Sequence, residues 1–418
     1  MASIEKRGDN SYRLTVSCGY NKNGKKIVRR KTIDLTHVKP DKQLEEANKQ
    51  WILFKNEIEK GLFLDSEKIT FEDFIEKWLK NYAEPELAPK TLHRYKELLN
   101  SRIIPALGHI KLNKLQPTHL TEFYTNLRED GIRSDGKPGG LSERTILHHH
   151  RLISSILTCA VQWQFLLSNP ALRLKAPKVT KTEAKHFNIE QTEYILNLLD
   201  KEPIKYRTMV VLAIYGGMRM GELTALEWQD VDFNNGLLKI NKSLQHLKEK
   251  GTFIKSTKNE TSNRIISLPG SAITLLREYK VWQNGEKAIL GNLWNDNCTN
   301  IFTALDGGPM FPSTISKWFN NFIKRHNESV INDDTILQEN KDIYILDNVN
   351  FHGLRHTSAT ILINQGVDVT TVSKRLGHAR TSTTTDIYSH SLKKSDKEAS
   401  NKLENLFNKS PKSEIKAK

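Results

Sequence analysis

Between residues 352 and 388 the chain carries His352-Gly353-Leu354-Arg355, then Leu376-Gly377-His378, then a lone Tyr388 on a Thr-rich segment. Far upstream, Arg219 sits within Gly217-Met218-Arg219-Met220-Gly221-Glu222-Leu223. Two guanidiniums, two imidazoles and one phenol are the parts needed to break and rejoin a phosphodiester without a metal. Charge builds on the non-bridging oxygens during such a transfer, and arginine's planar fork offers paired, charge-assisted hydrogen bonds to two of them. Arg219 and Arg355 are the candidates. The leaving 5′ oxygen needs a proton, which a lysine on a hairpin supplies: Lys258 is the first choice as general acid and Lys255 the second. A phenol has a pKa of about 10, so attack by Tyr388 near neutral pH requires a base or a strongly positive field. His352 with its neighbouring arginines provides either, and His378 donates a further hydrogen bond to the phosphate. A covalent 3′-phosphotyrosyl link would conserve the bond energy, so rejoining needs no ATP. Taken singly, each residue has an ordinary explanation as a surface arginine, a chance His-x-x-Arg or a packed tyrosine. In the order Arg, Lys, His-x-x-Arg, His, Tyr, coincidence becomes remote.

Those residues need elements to hold them. Tyr206 to Tyr215 is strongly apolar and reads as a buried helix that delivers Gly216-Gly217-Met218-Arg219, with Glu222 close enough to orient the guanidinium. Gly236 to Ser243, Thr252 to Ser256 and Asn263 to Leu268 read as short strands, with Lys255 and Lys258 at the second hairpin. From Gly270 onward the pattern is helical, interrupted by a polar stretch, Asn332 to Asn350, expected to be an insertion or mobile loop.

Upstream lie two further units. Tyr12 to Val16 alternates polar and apolar residues, Asn21 to Lys25 is a hairpin turn, and Ile27 to Leu35 resumes the extended pattern. A helix from about Lys42, with Leu44, Ala47, Trp51, Phe54 and Ile58, would cover one face. The lysines and arginines around that turn are either solvated or laid into a DNA groove. A second unit opens with a capping box at Thr70 and Asp73 and a stripe of Phe71, Phe74, Ile75, Trp78 and Leu79. Helices starting near Pro89, Thr118 and Ser142 complete a bundle that closes at Asn169-Pro170. His148-His149-His150 are consecutive on a helix and cannot converge on one ion, so no metal is expected. The basic segment from Leu172 to Lys185 reads as a solvated hinge or as a strap on DNA.

Composition agrees with a polyanionic partner. The 418 residues carry 63 Lys plus Arg against 48 Asp plus Glu, a net charge of +15. No apolar run is long enough to span a membrane and no signal-peptide core is present, so a cytoplasmic protein is expected. Three widely spaced cysteines, Cys18, Cys159 and Cys298, argue against a disulfide scaffold or a zinc cluster. No Walker-type phosphate loop or two-metal carboxylate motif is visible, and no cofactor is expected.

With these residues in view, the chain resembles a tyrosine recombinase, specifically an integrase of a bacteriophage or integrative conjugative element. Gly217 to Leu223 resembles the family's first catalytic box, His352 to Thr357 its second, and Leu376-Gly377-His378 through His390 its third. Thr257-Lys258-Asn259 followed by Arg264 to Pro269 resembles the lysine hairpin, and Ile104 to Gly108 with Asn169-Pro170 resembles the core-binding domain. The resemblance implies a multidomain α+β architecture: a small N-terminal three-stranded β-sheet plus helix, a helical-bundle core-binding domain, and a mainly α catalytic domain with a small β-sheet. The implied boundaries are 1–65 for an arm-type DNA-binding domain, 67–172 for the SAM-like core-binding domain, 173–186 for a linker, 187–395 for the catalytic domain and 396–418 for a tail. It assigns Tyr388 as nucleophile, Arg219 and Arg355 as phosphate clamps, Lys258 as general acid, His352 as general acid/base and His378 as a further phosphate ligand. Partners implied are double-stranded DNA with core-type and arm-type attachment sites, a homotetramer that exchanges strands through a Holliday junction, an excisionase and a host DNA-bending protein. The tail, with Leu392, Ala399, Leu403 and Leu406-Phe407 at helical spacing, packs on its own catalytic domain or on a neighbouring protomer. A type IB topoisomerase and a catalytically idle DNA-binding regulator are the alternatives.

Overall fold

A computed structural model describes residues 3–20, 24–59, 69–180, 184–256, 263–335, 337, 341–387, 400, 403 and 404. The chain divides into two units, Met1–Lys181 and Thr182–Lys418.

In the first unit, β1 (Ser3–Lys6), β2 (Ser11–Tyr20) and β3 (Lys26–Asp34) form an antiparallel sheet in the order β1-β2-β3. Side chains alternate along a strand, so Tyr12, Leu14 and Val16 all reach one face, where α1 (Gln43–Glu59) buries them with Ala47 and Phe54. Trp51 fastens this helix by donating its ring N–H to the Thr15 carbonyl at 3.1 Å. Leu44, expected on the covered face, is instead 59% exposed. At the start of α1 the facing surface is the loop after β3 rather than the sheet. Gln43 takes the inward place and donates to Asn10 Oδ1 at 2.8 Å and to the Val38 carbonyl at 3.2 Å. On the sheet's other face, away from those apolar residues, Arg13 stands opposite Thr32, and Thr15 opposite Arg30.

The expected capping box opens α2 (Phe71–Trp78): the Thr70 N–H reaches Asp73 Oδ2 at 2.8 Å and the Asp73 N–H reaches Thr70 Oγ1 at 3.2 Å. Its stripe of Phe71, Phe74, Ile75 and Trp78 is fully buried against α3 (Pro89–Leu98), α4 (Pro117–Asn126) and α5 (Glu143–Gln162). The histidine triplet on α5 serves the bundle. His149 Nδ1 lies 2.9 Å from the Thr145 carbonyl, His150 Nδ1 lies 3.0 Å from the Tyr124 hydroxyl, and His148 faces solvent. Among the described residues no group of His, Cys, Asp or Glu is arranged to hold a metal, and no helix is long and apolar enough to cross a membrane.

The second unit is built around α7 (Ile204–Gly216), which is apolar on every side and correspondingly buried from Thr208 to Ile214. α6 (Ile189–Leu198) precedes it, and α8 (Met220–Thr224) follows after the Gly-Gly turn. Two sheets come next: β4 (Val231–Asp232), β5 (Leu237–Ile240) and β8 (Arg264–Ser267) in the order β4-β5-β8, and a separate hairpin of β6 (Lys242–Leu247) and β7 (Gly251–Ser256). The single strand expected over Gly236 to Ser243 is therefore two. Ile240 pairs with Arg264 and Lys242 pairs with Ser256, so the chain changes partner at Asn241.

Helix α9 (Gly270–Leu290) ends at Gly291, and the stretch to Pro312, expected to be helical, is irregular. Glycines and prolines at 291, 307, 308, 309 and 312 interrupt it, yet Ile301 and Phe302 are fully buried. After α10 (Ser313–Ile331), the polar stretch expected to be an insertion or mobile loop is fastened in its second half. Leu346 and Val349 enter the core, and the Asn327 side chain holds the Leu346 backbone in both directions, at 2.8 Å to its carbonyl and 2.9 Å from its N–H. A short α11 (Lys341–Tyr344), then α12 (Gly353–Asn364), α13 (Val369–Leu376) and α14 (Thr381–Ile387) complete the unit. The expected tail lies outside the described residues apart from three isolated positions.

Candidate active site

The site begins where α7 ends. Gly217 adopts a left-handed conformation (φ +57°), and a Cβ there would lie 2.6 Å from Leu376 Cδ2, so only glycine lets the turn press against the end of α13. Two residues on, Arg219 caps α8. Glu222, three residues further, is one helical turn away and binds both ends of it: Oε2 accepts the Arg219 backbone N–H at 3.0 Å and Oε1 accepts Nη1 at 2.8 Å. The carboxylate is 3% exposed and the guanidinium 40%, so the cation faces out from a buried support.

Arg355, on the first turn of α12, is 2% exposed and donates Nη1 to the Gly217 carbonyl at 2.6 Å. Arg219 Nη2 reaches the Gly377 carbonyl at 3.4 Å, immediately before His378. Each arginine is thus anchored on the backbone of another of the three motifs. His378 completes the arrangement, its Nδ1 lying 2.8 Å from the hydroxyl of fully buried Thr384. That contact pins α14 to the Leu-Gly-His turn, and Tyr388 follows α14 by one residue in the sequence. His352 caps α12 and meets His356 edge to face at 5.2 Å.

Electrostatics keep the imidazoles neutral. Desolvation first, then the charges of Arg355 and Arg219, lower the His378 pKa to about 4; desolvation, His352 and Arg355 lower that of His356 to about 4. His352 is held below its ordinary value by desolvation, Arg355 and Arg219, even though the residue as a whole is exposed. A neutral His352 is able to accept a proton at pH 7. An imidazole with a lowered folded-state pKa takes up its proton more readily in the unfolded chain. The stability it contributes is complete above about pH 6.5 and is lost as pH falls toward 4. The melting temperature is expected to be level from pH 8 to about 6.5 and to fall below that, with a shallower fall in His378→Gln; an equal slope in both proteins would contradict this.

The four described residues proposed from the sequence, Arg219, His352, Arg355 and His378, therefore converge. Lys258 and Tyr388 lie outside the described residues. What surrounds the lysine segment is visible: hairpin β6–β7 packs on α8 where Gly221 leaves room, a Cβ there meeting Ser243 Oγ at 2.6 Å. The chain leaves β7 at Ser256 and returns as β8 at Arg264. Lys255, the second choice, lies in β7 opposite Ser243.

Sequence reading missed one member of the site. Arg264 is 6% exposed, and its Nη2 donates to Glu222 Oε2 at 2.7 Å. Burial pushes the Glu222 carboxyl up, but the hydrogen bond and charge of Arg264, followed by Arg219, hold it below the usual carboxylate value. The signal was present in β8: Arg264, Ile266 and Leu268 alternate onto one inward face, and an inward arginine requires a buried partner.

Comparison with known proteins decides the family. Residues 185–395, half of the chain, match the model of the phage integrase family, and residues 70–128 match that of the phage integrase N-terminal SAM-like domain. The chain belongs to the phage integrase family. This integrase-family chain is 27% identical to a XerC-like tyrosine recombinase of Caldanaerobacter subterraneus over 96% of its own length and 98% of the relative's. It is 24% identical to the ICEBs1 integrase of Bacillus subtilis over 97% and 100%. Among solved structures it resembles the Tn1549 transposon integrase in complex with a circular intermediate DNA (TM-score 0.62, 17% identity, 77% of this chain and 95% of that one). A lambda integrase dimer bound to a COC′ core site extends the likeness to 92% of this chain and 93% of that one, at TM-score 0.51 and 16% identity. These establish the tyrosine recombinase fold: an N-terminal sheet, a helical bundle and a mainly α catalytic unit. Its β-structure in that last unit is two sheets rather than the one expected.

Proposed function

We propose that this site-specific tyrosine recombinase integrates and excises a mobile element through a 3′-phosphotyrosyl intermediate. The observation that carries the reading is the convergence of Arg219, Arg355, His352 and His378, with each arginine anchored on the backbone of another catalytic box. Arg219 and Arg355 bind the non-bridging oxygens of the scissile phosphate, and His378 donates to the same group. Tyr388 attacks phosphorus as His352 takes its proton; the 5′ oxygen departs with a proton from Lys258, leaving the 3′ phosphate esterified to the phenol. Attack by the 5′ hydroxyl of a second strand reverses these transfers and restores the phosphodiester.

Four protomers would exchange strands in pairs through a Holliday junction in the cytoplasm, with an excisionase and a DNA-bending protein setting direction. Residues 67–172 would grip core-type sites together with the catalytic domain at 187–395, the segment 173–186 linking them. Residues 1–65 would read arm-type sites, a role supported by the sheet face opposite α1, where Arg13, Thr15, Arg30 and Thr32 lie side by side. The near full-length match to the ICEBs1 integrase supports the mobile-element context. The test is incubation with a nicked suicide duplex carrying a candidate attachment site, taken from repeats beside the open reading frame. A protease-sensitive, slowly migrating species on a denaturing gel is expected, and its absence on every candidate site would refute the proposal.

A further inference from the structure

Arg264 is not assigned to any step above, yet it joins three parts of the site. It stands at the start of β8, just after the segment that carries Lys258, and it points inward with Ile266. A guanidinium so enclosed is costly unless paired, and here Nη2 meets Glu222 Oε2 at 2.7 Å while Nε meets the Arg375 carbonyl at 2.7 Å. Glu222 is consequently shared between two guanidiniums, the buried one of Arg264 and the half-exposed one of Arg219. One carboxylate between two cations leaves a net single positive charge, and the cation that faces outward is Arg219. With a neutral residue in place of Arg264, Glu222 at 2.8 Å would cancel Arg219, and an incoming phosphate would meet an ion pair instead of a cation.

The second anchor acts on His378. The Arg375 carbonyl belongs to the last turn of α13, where helix carbonyls lack intrahelical partners, and Gly377-His378 follows directly. A Cβ on Gly377 would lie 2.8 Å from Arg264 Nη1, so the turn rests on this guanidinium. Arg375 returns the tie by donating Nη2 to the Ser267 carbonyl at 2.9 Å, joining both ends of β8 to α13.

We infer that Arg264 is a positioning residue for recombination: it takes up the charge of Glu222 so that Arg219 stays cationic toward the scissile phosphate, and it fixes the His378 turn to the strand entered from the Lys258 segment. This rests on the reading under "Proposed function". The test compares full-length wild type, Arg264→Gln and Arg264→Lys on suicide duplexes bearing either a phosphodiester or an uncharged-oxygen analogue, a methylphosphonate, at the scissile position. The rate of covalent complex formation at saturating protein is read separately from site affinity. Arg264→Gln is expected to slow cleavage about 10- to 100-fold, the range for losing an outer partner of a charged catalytic group, with affinity unchanged. Its deficit should shrink on the methylphosphonate, which has less charge for Arg219 to neutralise, whereas a merely structural role would give the same deficit on both. Arg264→Lys, which keeps the charge but cannot reach both anchors, should fall between wild type and Arg264→Gln. An equal deficit on both substrates, or cleavage by Arg264→Gln at wild-type speed, overturns the inference. If Arg264→Gln does not fold, wild-type speed in Arg264→Lys overturns it. Absence of a covalent complex with wild type overturns the recombinase reading itself.

Discussion

Tyr388→Phe is expected to bind its attachment site with unchanged affinity and to form no covalent protein–DNA complex. The substitution removes one oxygen, the only atom of the side chain able to become esterified to phosphorus. Loss of a covalent nucleophile lowers turnover by at least about 10⁴-fold in enzymes where the supporting groups stay in place. Those groups have anchors of their own among the described residues: Arg219 is held by Glu222 and Gly377, Arg355 by Gly217, and His378 by Thr384. Binding and cleavage therefore separate cleanly. Gel-shift affinity together with suicide-duplex trapping measures both, and adduct formation by the variant would remove Tyr388 from the mechanism. An idle DNA-binding regulator predicts instead no adduct even with wild type, and a variant as active in cells as wild type.

The two arginines should fail differently. Arg219→Ala and Arg355→Ala are each expected to lower the cleavage rate at saturation by about 10²- to 10³-fold, the loss seen when one preorganised donor to a developing anionic centre is removed. Only the second should also weaken the fold. Arg355 is 2% exposed and donates at 2.6 Å to a buried backbone carbonyl, so alanine leaves that carbonyl unmatched and opens space beneath the Gly-Gly turn. A cost of about 2–4 kcal/mol is expected from those two effects together. Arg219 is 40% exposed, and its removal leaves Glu222 still paired with Arg264, so little stability should be lost. Denaturant unfolding monitored alongside single-turnover cleavage checks the contrast; equal destabilisation by the two variants would contradict it.

Much of this arrangement is legible in the sequence, for reasons that differ from residue to residue. Thr70 and Asp73 are three positions apart and act on each other, so the start of α2 could be read locally. Arg219 and Glu222 are likewise one turn apart, and the support of the first by the second followed from spacing alone. Arg264 escaped because its partners lie 42 and 111 residues away, a separation that only tertiary structure closes. The break at Asn241 escaped for a related reason: alternation continues across it, and what changes is the partner strand. The stretch from Asn332 to Asn350 reads as an insertion or mobile loop because polar residues dominate it, although two apolar positions, Leu346 and Val349, suffice to fasten its second half. Leu44 erred in the opposite sense, since helical periodicity says which side of α1 is shared but not where the sheet beneath it stops.

The exchange of carbonyl anchors between Gly217 and Gly377 bears on how the enzyme is made. Arg355 docks on a turn translated 138 residues earlier, and Arg219 waits for a carbonyl 158 residues later. Until the segment from Gly353 to Gly377 has been synthesised neither tie can form, so this region of the unit closes only after both parts of the chain are present.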